Sequence, residues 1–486
     1  MTRSYEEQSV SENIQADICV IGGGSGGLSV AAGASQMGAR VVLIERAEMG
    51  GDCLNTGCVP SKALIAAGHA AHAIRTAGQF GIEASAPDID MARVRDHVKG
   101  VIAAIAPMDS VERFEGMGVT VLQASARFTG PREVTTDQGQ VVRAKYFVIA
   151  TGSRALVPPV PGLSETPYFT NETVFDNADP IEHLIVVGGG PIGVELAQAH
   201  RRLGAAVTVV EMFDVLGRDD PECAGIVKQR LREEGLTLME GTKVLSVARG
   251  PSGVTVAIER DGVQSELTGT HILIAAGRRP NVEDLDLSAA GIEYTPKGIS
   301  VDGGMRTTNK HVFAIGDVAG GLQFTHMANY HAGLIIRQTL FKMFWAKADQ
   351  SAFPWVTYTD PELAHVGMTE AQAVETLGEG GFRLLRWSFA ENDRAQAERA
   401  THGLIKVVTD KKGLIRGATI AGPHAGELIM PWVQAIAGKQ KIGAVAGLTF
   451  PYPTLSEVSK RAAGSYFTPT LFSERTRKIV RFLLKF

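Results

Sequence analysis

Cysteine is scarce in this chain, with four in 486 residues, and that scarcity excludes a small fold stapled by disulfides. An excess of basic charge is also missing. Lys and Arg total 48 against 52 Asp and Glu, for a net charge of -4, so the electrostatic footprint of a nucleic-acid binder is absent. No run reaches the roughly 18 apolar residues of a membrane-spanning helix. The first sixteen residues, Met1 to Ala16, are polar and acidic, where an export signal is basic and then apolar. These absences predict a soluble cytoplasmic protein. The length, in turn, allows about three domains of ordinary size.

Two of the four cysteines, Cys53 and Cys58, fall in the stretch Gly50 to Lys62, GGDCLNTGCVPSK. Four residues between two thiols suit neither a structural disulfide in a chain without an export signal nor the two-residue spacing of zinc pairs, which leaves a redox-cycling pair. Cys19, in an apolar strand pattern, and Cys223, in a polar helical stretch, read as packing or surface thiols. Upstream, DICVIGGGSGG runs an apolar strand into the glycine turn Gly22, Gly24 and Gly27 and then an Ala-rich helix, and the next strand ends at Glu45. A strand, tight turn and helix of this kind cradle a pyrophosphate at the helix N-terminus, and the carboxylate holds ribose hydroxyls. The device recurs at Gly188, Gly190 and Gly193, with Glu211 ending the following strand; both landmarks move by 166 positions (22 to 188, 45 to 211). Chance turns do not preserve such an offset. Two dinucleotides are expected.

The motif GGxCxNxGCxPSK, with the two glycine turns in order behind it, resembles the flavoprotein disulfide reductases, the family of dihydrolipoyl dehydrogenase, glutathione reductase and mercuric reductase. The resemblance implies an α/β fold with two Rossmann-like domains and a C-terminal α+β dimerisation domain. On that pattern residues 1 to 152 and 280 to 350 form the FAD domain, 153 to 279 the NAD(P) domain and 351 to 486 the interface of a homodimer. The small-residue turns VIATGS, with Thr151 and Gly152, and LIAAGRRPN, with Gly277, bracket the inserted domain, and the Pro-rich Ala155 to Gly162 serves as its linker. FAD is assigned to the first site, where Gly51 and Asp52 beside the cysteines, Ala126, Asp317 and Thr325 match cofactor-contacting positions of the family. The nicotinamide nucleotide is assigned to the second, with Val244 beside the adenosine. Because Glu211 disfavours a 2'-phosphate, NADH is expected ahead of NADPH, with the nearby Arg218 as the one group arguing the other way. His326 and His331 read as packing residues.

The same resemblance gives each group in the reaction a role. Cys58 is the sulfur facing the flavin and holds a thiolate charge-transfer state, Cys53 is the more exposed interchange thiol, and Lys62 pairs with Glu195 at the hydride acceptor. A helix starting near Val59 and Pro60 lowers the thiol pKa. One departure carries information: FPYPTLSE puts Tyr452, followed by Glu457, where disulfide-reducing members carry the histidine of HPTxxE. Imidazole titrates near neutrality and a phenol near 10, so the His-Glu pair that serves the substrate sulfur is incomplete. Mercuric reductases carry tyrosine there but also a C-terminal cysteine pair, and no cysteine follows Cys223. Three readings follow: an NADH oxidoreductase of mercuric-reductase type, a dihydrolipoyl dehydrogenase, and a flavoprotein sensor without turnover. The acceptor is left open among a metal ion, a quinone, a small molecule and a thiol or disulfide, and no resident metal is expected. The final SERTRKIVRFLLKF interleaves basic and apolar residues at near-helical spacing. It fits a membrane-surface helix or, the preferred reading, a terminal helix packed across the dimer.

Overall fold

The computed structural model describes residues 13 to 250 and 253 to 486, so most of the Met1 to Ala16 leader lies outside the described residues. Contacts divide the chain into two compact units. The first comprises Met1–Pro159, Phe169–Pro180 and Ile274–Ala348, and the second Val160–Tyr168, Ile181–Leu273 and Asp349–Phe486.

The first unit is built on strand Asn13–Ile21, which pairs in parallel with Val41–Glu45 on one side and Val141–Ile149 on the other. Alternation along this strand sends Ile18 and Val20 into one core, with Leu28, Phe313 and Ile335, and Cys19 and Ile21 into another, with Phe128 and Phe147. A strand covered on both faces has no polar side, which is why it reads as an apolar run. Cys19 is therefore a core residue, and burial pushes its thiol pKa well up. The sheet continues outward in parallel to Val119–Gln123, and antiparallel through Glu133–Thr136 to Ala126–Gly130, while Val312–Ala314 pairs with Val141–Ile149 in parallel. The two small-residue turns meet: Ser153–Ala155 pairs antiparallel with Arg278–Pro280, and both belong to this unit.

In the second unit a four-stranded sheet runs in the order Thr237–Met239, Ala206–Val210, His183–Val187, His271–Ile274. A three-stranded antiparallel meander, Thr242–Gly250, Gly253–Arg260 and Val263–Gly269, follows it in the chain. The remainder of the unit is a five-stranded antiparallel sheet in the order Pro354–Thr357, Glu362–Gly367, Ile415–Gly422, Leu404–Asp410, Phe382–Ser388. Helices cover it around the fully buried Trp432, whose indole N–H donates to Ser459 at 3.1 Å. Helix Pro221–Glu233 starts with Asp220 capping the amides of Glu222 and Cys223, and Cys223 is fully buried rather than at the surface.

Candidate active site

Strand Asn13–Ile21 delivers Gly22 into its turn at φ +112°, where a methyl group would stand 2.4 Å from the Ala150 carbonyl oxygen. A methyl on Gly27 would stand 1.9 Å from the Gly22 oxygen. Only glycine fits at either place. The outer side of the turn is open: a methyl on Gly24, the residue preceding helix Ser25–Gln36, meets nothing closer than 3.9 Å, and one on Gly152 meets nothing within 4 Å. Beside this opening Glu45 is fixed by two amides, Gly23 N–H at 2.5 Å and Ala47 N–H at 2.7 Å. The second unit repeats the arrangement, with Gly189 N–H donating to Glu211 at 2.6 Å and Phe213 N–H at 2.9 Å. Helix Pro191–Arg202 begins after Gly190, where a methyl would again meet nothing within 4 Å. An uncrowded helix N-terminus beside a fixed carboxylate fits the pyrophosphate and ribose of a dinucleotide in each unit.

The redox motif is docked on the first glycine turn through its own glycines. Gly50 N–H donates to the Gly23 oxygen at 2.9 Å, and a methyl on Gly51, at φ +58°, would lie 2.8 Å from Gly24 Cα. Cys53 then sits in the short helix Gly51–Asn55, and Cys58 opens the long helix Cys58–Thr76, with Pro60 in its first turn. Cys58 Sγ lies 3.3 Å from the hydroxyl of Thr325, itself the first residue of helix Thr325–Thr339. Two helix N-termini thus converge on one sulfur. A hydrogen bond from the Cys53 thiol, then one from Thr325 and the charge of Lys62, bring the Cys58 thiol down to about 6, against burial and Asp52. Cys53 moves the opposite way, chiefly through that same bond to Cys58 and then by burial. Both directions favour the negative charge on Cys58 over Cys53. In the chain by itself Cys53 is half-buried in its short helix and Cys58 is exposed at a helix start.

Around the pair, Asp52 accepts from the Thr56 hydroxyl at 3.1 Å and the Asn171 side-chain amide at 3.1 Å, and Arg278 reaches it at 3.1 Å. Arg278 also donates to the Ser153 hydroxyl at 2.7 Å and lies 3.7 Å from Asp317, which accepts from that hydroxyl at 2.5 Å. Burial raises the pKa of Asp317, and the Ser153 bond and Arg278 oppose the rise. Thr151 and Asn281 exchange two bonds, at 2.8 and 2.9 Å, locking the two small-residue turns together. Neither Asn171 nor Arg278 carries a local sequence signal of its role: Arg278 lies in LIAAGRRPN, but its bridging of Asp52 and Asp317 depends on long-range folding.

Lys62 stands one turn into its helix, with its ammonium 3.4 Å from the Ser61 hydroxyl. Glu195, buried in helix Pro191–Arg202 of the second unit beside Gly193, accepts from the Tyr358 amide at 2.9 Å. Ala126 opens a strand at the sheet edge, Gly277 takes φ +122° before the second turn, and Val244 precedes a bulge in Thr242–Gly250. Gly188, at φ +115°, repeats the conformation of Gly22, and Arg218 is exposed. His331 is buried, accepts from Gly316 N–H at 3.3 Å, and is pushed down to about 4 by burial. His326 departs from its expected packing role: it is exposed, with its ring 5.4 Å from that of Phe324. In the second unit Tyr452, 70% exposed, donates to Asp393 at 2.8 Å, and that bond, with Glu457 further off, raises its pKa. Glu457 opens helix Glu457–Ser465.

This is the architecture of a flavoprotein with an active dithiol, and comparison with known proteins agrees. Residues 16–332 match the model of the pyridine nucleotide-disulphide oxidoreductases, and residues 353–463 match that family's dimerisation domain. The chain belongs to the pyridine nucleotide-disulphide oxidoreductase family. A mercuric reductase of Streptomyces lividans is 33% identical, covering 93% of this chain and 96% of that protein. A dihydrolipoyl dehydrogenase of Thermus scotoductus is 35% identical, covering 92% and 96%. Among solved structures, the HOCl-induced flavoprotein disulfide reductase RclA from Escherichia coli superposes with a TM-score of 0.82 at 26% identity, over 92% of this chain and 99% of that one. LpdA from Mycobacterium tuberculosis superposes at 0.84 and 27%, over 93% and 99%. The expected fold class and enzyme class are borne out: the protein is an FAD-dependent oxidoreductase that uses a nicotinamide nucleotide and a disulfide redox centre. Its dimerisation domain supports a homodimer.

Proposed function

We propose that the protein carries electrons from NADH through FAD to the Cys53/Cys58 pair and on to a soft metal ion as acceptor substrate, in the manner of the mercuric-reductase-type relatives. The observation that carries this reading is the placement of the two thiols: Cys58 opens helix Cys58–Thr76 with its sulfur 3.3 Å from the Thr325 hydroxyl at the start of a second helix, and Cys53 sits in the short helix just before it. Bound FAD supplies the two-electron link between a hydride donor and the dithiol. The glycine turns and Glu45 hold it at the first site, and Glu211 holds the NADH ribose at the second and repels a 2'-phosphate. Lys62 and Glu195 are assigned as the charge pair at the hydride acceptor. The remaining assigned positions, Ala126, Thr151, Gly152, Asp317, Thr325, Val244 and Gly277, position the two nucleotides, with residues 153 to 279 as the NADH-binding segment. Tyr452 and Glu457 serve the dithiol of a partner subunit in the cytoplasm.

Two things favour a metal acceptor over lipoamide. Tyr452 is held as a donor to Asp393 with a raised pKa and so does not offer a base at neutral pH. RclA, the structural neighbour, has also been solved as a Cu(II) complex, at 25% identity and a TM-score of 0.82. The test is steady-state NADH oxidation by the purified holoenzyme with Hg(II), Cu(II), a quinone, lipoamide and glutathione disulfide. Turnover with a metal ion well above that with lipoamide supports the reading. Lipoamide turnover at rates ordinary for metabolic enzymes would replace it with a dihydrolipoyl dehydrogenase, and slow oxidation with all five would favour a redox sensor.

A further inference from the structure

The last helix, Glu474–Leu483, lies beyond the residues that match the dimerisation domain, which end at 463. Ser473 caps it by accepting from Thr476 N–H, and Glu474 pairs with Arg477 at 2.9 Å, so the helix is locally specified. Yet none of its residues is buried. Projected at 3.6 residues per turn, Ile479 and Leu483 share one arc with Val480 and Phe482 at its flanks and Arg475 at the edge beside Phe482, while Leu484 and Phe486 follow the last helical turn. All six apolar residues are exposed, from 47% at Val480 to 95% at Phe486. Arg477, Lys478 and Arg481 occupy the opposite arc together with Glu474, and Lys485 follows the helix. Leu471 and Phe472, exposed at 57% and 67%, extend the apolar surface toward the preceding turn.

From this arrangement we infer that the C-terminal helix is a docking element for an anionic lipid surface, lying in the headgroup plane with its apolar arc inward. The occupant follows from charge. A chain with a net charge of -4 places five cations, Arg475, Arg477, Lys478, Arg481 and Lys485, between Glu474 and Phe486, where Glu474 is the one acidic residue and is tied to Arg477. An apolar arc rich in Phe and Leu, facing a Lys/Arg arc whose long stems reach up to phosphate level, is the pattern of interfacial helices. Packing across the dimer uses the apolar arc but gives no role to a surplus of five cations over one acid in the same segment. No helix among the described residues is long and apolar enough to cross a membrane, so contact by this route is peripheral. The inference does not rest on the identity of the acceptor.

The test is co-sedimentation of the full-length holoenzyme with phosphatidylcholine vesicles, with and without about one third phosphatidylglycerol. Binding should be roughly tenfold or more stronger to the anionic vesicles and should fall with added salt. Leu483→Asp should abolish it, and the quadruple change Arg477→Gln, Lys478→Gln, Arg481→Gln and Lys485→Gln should remove the preference for anionic lipid. Both variants should keep the wild-type NADH oxidation rate and the dimer. Equal binding to both compositions, or binding to neither, would overturn the inference. So would a Leu483→Asp protein that sediments as a monomer, because the helix would then be an interface between two copies of this chain.

Discussion

On the proposed function, Tyr452 is where the chemistry of this chain departs from disulfide reduction. Its hydroxyl is already committed to Asp393, and its pKa lies above the usual phenol range. A group so placed at neutral pH supplies little of the 10²- to 10⁴-fold that a general acid or base contributes. Tyr452→His is expected to raise turnover with lipoamide by roughly tenfold or more while leaving the NADH half-reaction unchanged, as stopped-flow absorbance would show. If Tyr452→Phe instead destroys turnover with the metal acceptor alone, the hydroxyl is itself part of the acceptor site. At this scale the sequence was most informative where chemistry is local. The cysteine spacing, the glycine turns and the tyrosine for histidine exchange were all legible. Asp393 and Asn171 were not, because an exposed helix-start aspartate and a loop asparagine carry no mark of the residues 59 and 119 positions away that they bond.

Among elements, the second unit is tied together by charge. Lys406, on the antiparallel sheet and only 3% exposed, lies 2.7 Å from the buried Asp220, the N-cap of helix Pro221–Glu233, and 2.7 Å from Glu370. Arg202, on helix Pro191–Arg202, is equally buried and pairs with Glu234 at 2.6 Å and Asp360 at 2.7 Å. These ion pairs link helices of the nucleotide-binding part of the unit to its antiparallel sheet. Removing one partner of a buried pair leaves the other charge uncompensated, at a cost of about 3–5 kcal/mol. Lys406→Ala should therefore lower the free energy of unfolding by about that much in urea denaturation, and a change within experimental error would show that water or a neighbour takes over. Nothing in the sequence announced this network. Hydrophobic periodicity marked the strands, but ion pairs between elements distant in the chain have no periodic signature.

For the whole molecule, two nucleotide sites, a dithiol and a dimerisation domain make sense together as a relay. Glu211, fixed by two amides, sets the expectation that NADH has the higher kcat/KM; a preference for NADPH would show that Arg218 outweighs it. The dimer should persist on sedimentation, and a fully active monomer would contradict the role assigned to Tyr452 and Glu457 across subunits. The general layout was legible because the glycine turn is repeated at a fixed offset. The grouping of the chain into two compact units was not, since it depends on packing between elements. The central claim is that Cys58 holds a thiolate while Cys53 keeps the proton, and anaerobic titration with NADH tests it most directly. One equivalent should produce a long-wavelength absorption band. Because the Cys58 pKa is depressed, the band should persist above it and fade as pH falls through about 6. Cys53→Ser should show the band without reductant, and Cys58→Ser should never show it. A reduced wild-type protein without the band at neutral pH, or a Cys58→Ser variant that retains it, would contradict the account.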